Sequence, residues 1–267
     1  MESRPTLRGQ APPGHAATSA RLRRRHGRPR RGGGGTHAAT ATSPSPALLS
    51  RPWETFDAYS AWRKTKTVEL PTREAHLLHG AVGVSDEIGE FFEVANSCIR
   101  RVSRKNTIPE SDYLSLRKEA GDILFYRDLT ERTLLTSYAS QPMHDNIRDA
   151  IPATVEALDA RIATPEDGLA RYKLDELVIM GAKILGPVKK HYFHQVALDQ
   201  ETIARNLVYT LFATAYIVRW AASHVAWGDA TCTGTVLEIL RANVEKLDTR
   251  YRDGFVTGGG VRDGKGA

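Results

Sequence analysis

The chain has 267 residues, 41% hydrophobic and 25% charged, enough for one large domain or two small ones with a real core. Its two cysteines, Cys98 and Cys232, lack metal-ligand spacing and form no disulfide framework, which fits a reducing, cytoplasmic setting. Apolar runs are broken by charge before they reach membrane-spanning length, so no membrane partner is expected, and the net charge of +6 turns out to belong to one end.

That end is residues 1–52, with ten arginines, no lysine and a single acid, Glu2, a net +9. Taking these from the chain's 37 basic and 31 acidic residues leaves 27 and 30, so residues 53–267 carry −3. Rich in Arg, Gly, Pro, Ala, Ser and Thr and poor in large apolar side chains, the segment cannot bury a core and reads as a disordered tail. Three roles compete for it. An organellar import signal must form an amphipathic helix, which the GGGG run and the prolines oppose. A nucleic-acid-binding arm is electrostatically allowed, and an extension without function is the third. The acidic balance of the rest makes nucleic acid an unexpected partner for the body.

From Trp53 onward strand-like alternation is absent. Helical periodicity predicts an all-α bundle with helices near 53–64, 73–101, 111–139, 145–162, 166–194, 200–226 and 232–250. In the second of these, Leu77, Ala81, Val84, Ile88, Phe91 and Ala95 recur at alternating steps of four and three, a continuous core seam. Glu87 and Glu90, in DEIGE, border that seam. In the third helix Glu119 and Asp122, in KEAGD, interleave with Ala120, Ile123 and Leu124 in the same way. Residues three apart share a helix face with Cβ atoms about 5–6 Å apart. Antiparallel packing of the two helices would therefore bring four carboxylates to one spot. Four like charges repel unless cations sit among them, and oxygen-only donors favour a hard ion, Mg²⁺ or Mn²⁺. Glu93, one turn on, reads first as a solvated residue. Gly80, Gly83 and Gly89 each cost a helix about 1 kcal/mol against alanine; close helix approach or room for a ligand would offset it.

Further along, Thr164-Pro165-Glu166-Asp167 reads as a helix start with an N-cap hydroxyl, proline at N1 and acids in the first turn, and it marks a boundary. Pro187 would kink the helix that follows. His191 and His194 read as packing or surface residues, Trp220 and Trp227 as core. In the last helix Lys246 and Arg250 lie four apart on one face, a candidate phosphate-binding pair, with ordinary pairing to Glu245 and Asp248 as the alternative. The closing GGGVRDGKGA reads as a flexible end.

Ala153–Arg161 matches Ala242–Arg250 at an offset of 89 with six of nine positions identical, and Ile123-Leu124-Phe125 aligns with Thr210-Leu211-Phe212 at an offset of 87. This predicts a duplication: a first unit over 53–164, a second over 165–256 and a flexible 257–267, the units packed about a pseudo-two-fold axis as an intrachain pseudo-dimer. Opposite Glu119 and Asp122 the second unit offers Asn206 and Tyr209; opposite Glu87 and Glu90 it offers Met180 and Lys183. Its acids are gone.

At these residues the chain resembles the MazG-like, all-α nucleoside triphosphate pyrophosphohydrolase family, whose hallmark is ExxE followed by ExxD on adjacent helices. Glu87-x-x-Glu90 and Glu119-x-x-Asp122 carry that hallmark. Tyr59, Arg63 and Thr65 in YSAWRKT look like the family's lead-in helix, and Lys189-Lys190-His191-Tyr192-Phe193-His194 looks like its KKHxFH stretch. Asn243, Lys246, Leu247, Arg250, Tyr251, Gly254 and Phe255 look like its closing segment, which here arrives only at the end of the second unit. The resemblance implies Mg²⁺, or Mn²⁺, held by Glu87, Glu90, Glu119 and Asp122, with Glu90 as the candidate base. It implies phosphate contacts from Lys246, Arg250 and Asn243, cleavage of a nucleoside triphosphate to (d)NMP and pyrophosphate, and association as a homodimer of pseudo-dimers. One composite site would then survive, acids from one half and basic groups from the other. No P-loop pattern is present, so nucleotide binding would be metal-led, and no E-x-x-H motif supports a di-iron bundle. The alternatives are a phosphoribosyl-ATP pyrophosphohydrolase and a catalytically inactive helical module that binds nucleotides or nucleic acid.

Overall fold

A computed structural model describes residues 51–138, 147, 150–151, 154–162, 164–226 and 232–251. Seven helices account for most of them: α1 (Phe56–Lys64), α2 (Arg73–Ser103), α3 (Glu110–Ser137), α4 (Val155–Arg161), α5 (Asp167–His194), α6 (Gln200–Ala222) and α7 (Val236–Arg250). No strand occurs among the described residues, only two isolated bridges, Thr55 with Thr154 and Ile108 with Val225. No helix there is long and apolar enough to cross a membrane.

The seam read from the sequence is the core. Leu77, Ala81, Val84, Ile88, Phe91 and Ala95 are all buried along one stripe of α2, which Cys98 extends. Full burial of each larger member stabilises the fold by about 1.5–3 kcal/mol. The stripe is covered from two sides, because α2 packs on both α3 and α5, α5 packs on α6, and α6 returns to α3. Two helical hairpins thus share one core, with α1 laid against α3 and α7 against α3 and α4. Two of the α2 glycines are there for closeness. A Cβ on Gly80 would lie 2.5 Å from the Thr130 hydroxyl, and one on Gly83 would fall on the Tyr126 ring. Gly89 has open space beside it instead.

Helix ends depart from the expected bounds where a cap or a distant partner decides them. The Thr55 hydroxyl accepts the Ala58 N–H at 3.1 Å, so the first helix begins at Phe56 and not Trp53. Thr154 does the same for Ala157 at 3.2 Å, which starts α4 at Val155; of the expected helix over 145–162, residues 145–146, 148–149 and 152–153 lie outside the described residues. Thr164 is not the N-cap of α5. The Glu166 N–H goes to the Tyr216 hydroxyl of α6 at 2.6 Å, and the helix starts at Asp167, whose carboxylate accepts the Trp220 indole N–H at 2.9 Å. Trp220 is buried in the core as expected, while Trp227 lies outside the described residues. Pro187 does not end α5, which continues to His194 and stops at Gln195 in a left-handed conformation (φ 55°). The last helix begins at Val236, later than expected, behind Gly234 (φ +68°) and a reciprocal Thr235/Glu238 capping box.

Candidate carboxylate site

Long-range hydrogen bonds set the site's geometry. α2 and α3, packed along their length, present Glu87, Glu90 and Glu119 to one another. One carboxylate oxygen of each lies within 4.8 Å of the others. No second group of three acidic, histidine or cysteine side chains is this close among the described residues. Only 12% of the Glu119 side chain is exposed, with Lys118 at 3.4 Å, whereas Glu90 is exposed on the rim. Glu93 is exposed and stands apart from the cluster.

Asp122, one turn beyond Glu119, is held differently. Lys246 of α7 pairs with its Oδ2, and Asn243 donates from Nδ2 to its Oδ1 at 3.0 Å. Asn243 is itself oriented by Tyr59 of α1, whose hydroxyl donates to Oδ1 at 2.8 Å. Burial, then the charges of Asp128 and Asp122, hold the Tyr59 phenol well above its ordinary range, so it is a fixed donor at neutral pH. The approach of α7 depends on Gly121, where a Cβ would stand 2.8 Å from the Asn243 Cβ. One turn further along α7, Asp248 accepts the Trp62 indole N–H at 3.0 Å and pairs with Lys66 at 2.8 Å.

The residues read from the sequence therefore divide. Glu87, Glu90, Glu119, Asp122, Asn243 and Lys246 come together, the first four from one half of the chain and the last two from the other. Arg250 is exposed and makes no ion pair among the described residues. Gly254 and Phe255 lie outside the described residues. Tyr251 closes α7, and its carbonyl accepts from Lys66 at 3.3 Å. His191 turns its Nδ1 to the Val196 carbonyl at 2.8 Å and packs edge-on to Tyr138, and His194 is exposed, so both are surface and packing residues. At the positions opposite the acids, Asn206 is buried and bonds back to the Thr202 carbonyl at 2.6 Å, Met180 is buried, and Tyr209 and Lys183 are exposed. Missing from the sequence reading were the supports Trp62 and Lys66 and the use of Gly121, for which the glycine in KEAGD was the available signal; Asp248, read as an alternative partner for Lys246 and Arg250, pairs with Lys66 instead.

The electrostatics record a site short of positive charge. Burial, then Asp122, Glu90 and Glu119, push the Glu87 carboxyl from 4.5 up to about 7, with Lys246 offsetting part of the effect. Four all-oxygen donors of this kind suit a hard divalent cation, so the residues present fit Mg²⁺ or Mn²⁺. A stability prediction follows from the sign of this shift. Because the folded-state value lies above the unfolded one, the folded protein binds the extra proton between about pH 4.5 and 7. In chelator, the stability contributed by protonated Glu87 is present below that window and is lost as pH rises through it. Glu87→Gln should remove this slope and raise ion-free stability at pH 8 by about 1–2 kcal/mol, after allowing for solvent screening of a partly exposed group. Chemical denaturation of both proteins at pH 5 and pH 8 in chelator measures it; equal slopes would mean the acids do not repel.

No family model, no curated protein and no solved structure matches the chain.

Proposed function

We propose that this chain is a divalent-cation-dependent nucleoside triphosphate pyrophosphohydrolase of the MazG-like kind, releasing a nucleoside monophosphate and pyrophosphate. The observation that carries the reading is the meeting of Glu87, Glu90, Glu119 and Asp122 with Lys246 and Asn243. Acids alone would make only a cation trap. Acids joined to an ammonium and an amide make a place where a polyphosphate and its counter-ion can sit together.

The roles follow from the side chains. Glu87, Glu90, Glu119 and Asp122 would hold Mg²⁺, or Mn²⁺. When bound, such an ion neutralises phosphate charge and stabilises a leaving pyrophosphate. Lys246 presents a mobile point charge to phosphate, and Arg250, exposed one turn on, a planar fork. The Tyr59–Asn243 hydrogen bond fixes which way the amide faces, leaving its N–H₂ toward Asp122. A carboxylate takes a proton from the attacking water, and the bond from the α-phosphorus to its bridging oxygen breaks. We assign that proton to Glu90, exposed on the solvent side, while Glu87, whose carboxyl is pushed up by burial and neighbouring acids, sits deeper. The second unit supplies the α5–α6 hairpin as a scaffold and, separately, α7 with Lys246 and Asn243, which we read as a pseudo-dimer of one active and one degenerate unit. Association into a homodimer of such pseudo-dimers and residence in the cytoplasm belong to the same proposal.

A panel of ribo- and deoxyribonucleoside triphosphates with Mg²⁺, scored for pyrophosphate and monophosphate, tests it. Stoichiometric release of both from at least one member is expected. Orthophosphate release instead would mean a different bond is cut. Phosphoribosyl-ATP is assayed beside the panel, and activity confined to it would make the chain a phosphoribosyl-ATP pyrophosphohydrolase instead. Binding without turnover would leave only the inactive module.

A further inference from the structure

The acids of the site are not equally available. Both oxygens of Asp122 are engaged from α7, Oδ2 by the Lys246 ammonium and Oδ1 by the Asn243 amide at 3.0 Å. The Asp122 side chain is 15% exposed and that of Lys246 18%, so their pairing is largely shielded from water and salt. Glu87, Glu90 and Glu119, by contrast, face one another, with Lys118 as the nearby ammonium, 3.4 Å from Glu119. Two cationic side chains thus border the cluster, one on its rim and one seated on the fourth acid.

From this arrangement we infer that Lys246 is a built-in counter-cation, which withholds Asp122 from the divalent ion until a triphosphate draws the ammonium away. The inference rests on the proposed function. Lysine suits the part, because its charge rides on a flexible four-carbon stem and its three donors need no fixed geometry. Asn243 does not leave with it, since Tyr59 grips the amide from the other side. In the free protein a cation meets three carboxylates and a repelling ammonium. Once phosphate oxygens offer Lys246 a more highly charged partner, the cation meets four carboxylates. Cation and triphosphate must then strengthen each other's binding, because a coupling between two ligands is reciprocal. The free protein is thereby kept from filling its site with a cation lacking its nucleotide.

The test is Mn²⁺ binding to the nucleotide-free full-length chain, followed by electron paramagnetic resonance and calorimetry. It compares the natural protein with Lys246→Met and with Lys118→Met as a control of equal charge change. Lys246→Met should tighten Mn²⁺ binding by about tenfold, within the usual range for such coupling, and Lys118→Met by no more than about a third of that. Lys246→Gln, which can still hydrogen-bond Asp122, should shift binding in the same direction and serves if the methionine variant melts early. Equal tightening by the Lys246 and Lys118 variants would reduce the effect to net charge and overturn the inference. Weaker or unchanged binding in both Lys246 variants would overturn it too, while leaving the pyrophosphohydrolase standing. Absence of Mn²⁺ binding in every protein would remove the cation site itself, and this inference with it.

Discussion

Glu119→Gln should cut the proposed Mg²⁺-dependent pyrophosphate release by more than about 100-fold while leaving the helical fold unchanged. The substitution keeps the side chain's shape and removes one of the carboxylates from a cluster whose members lie within 4.8 Å. Losing several kcal/mol of charge stabilisation at a reacting phosphate translates to a rate loss of that order. Ion-free stability should be equal or slightly higher, because Glu119 is one of the charges that push Glu87 up. Asp122→Asn should lose the same activity but behave oppositely in stability. It leaves Lys246 without the carboxylate that it pairs with across 124 residues of sequence. Turnover, circular dichroism and melting of the two variants in chelator separate these effects. Undiminished pyrophosphate release by a folded Glu119→Gln protein would remove the cluster from the chemistry.

That contrast between Glu119 and Asp122 marks where the sequence stops being legible. Periodicity assigns a residue to a helix face, so the α2 seam and the convergence of two acidic couplets could be read directly. It cannot say which distant helix lies over that face, so four acids of equal standing in the sequence became three that face one another and one capped by Lys246 and Asn243. Helix starts failed for the same reason at Thr164, where the Tyr216 hydroxyl of α6, 50 residues on, took the Glu166 N–H. At Thr235 the failure was avoidable, since Thr-x-x-Glu is a local capping signal that needs no tertiary partner. Buried polar residues were the least legible. Charged side chains are ordinarily solvated, and nothing beside Asp128, Arg63 or Ser60 in the sequence marks them as interior. All three are buried.

Their burial makes Asp128→Ala the substitution expected to cost the fold most. Asp128 on α3 receives the Ser60 hydroxyl at 2.5 Å and the Arg63 Nε at 2.6 Å, with the Asp128 and Arg63 side chains each 4% exposed. Arg132 reaches in from the rim, donating Nε to the Ser60 hydroxyl at 3.0 Å and Nη2 to Asp57 at 2.6 Å. Alanine would leave Arg63 buried with the Thr67 hydroxyl at 3.0 Å and the Phe125 ring, neither able to balance its charge. Breaking a buried pair from one side costs about 3–5 kcal/mol, which in a chain of this size lowers Tm by roughly 10 °C or more. The double variant Arg63→Met/Asp128→Leu should recover most of that loss, because an apolar pair avoids the desolvation that the ions incur, and Ser60 keeps its donor in Arg132. Function should follow α1, not Asp128 itself. Tyr59 sits one residue before Ser60 and orients the Asn243 amide that bonds Asp122. Loosening α1 should therefore raise KM for nucleotide in Asp128→Ala at temperatures where it is still folded, and the double variant should restore KM along with Tm. Recovery of Tm without KM would mean that α1 is a structural strap with no hold on the site.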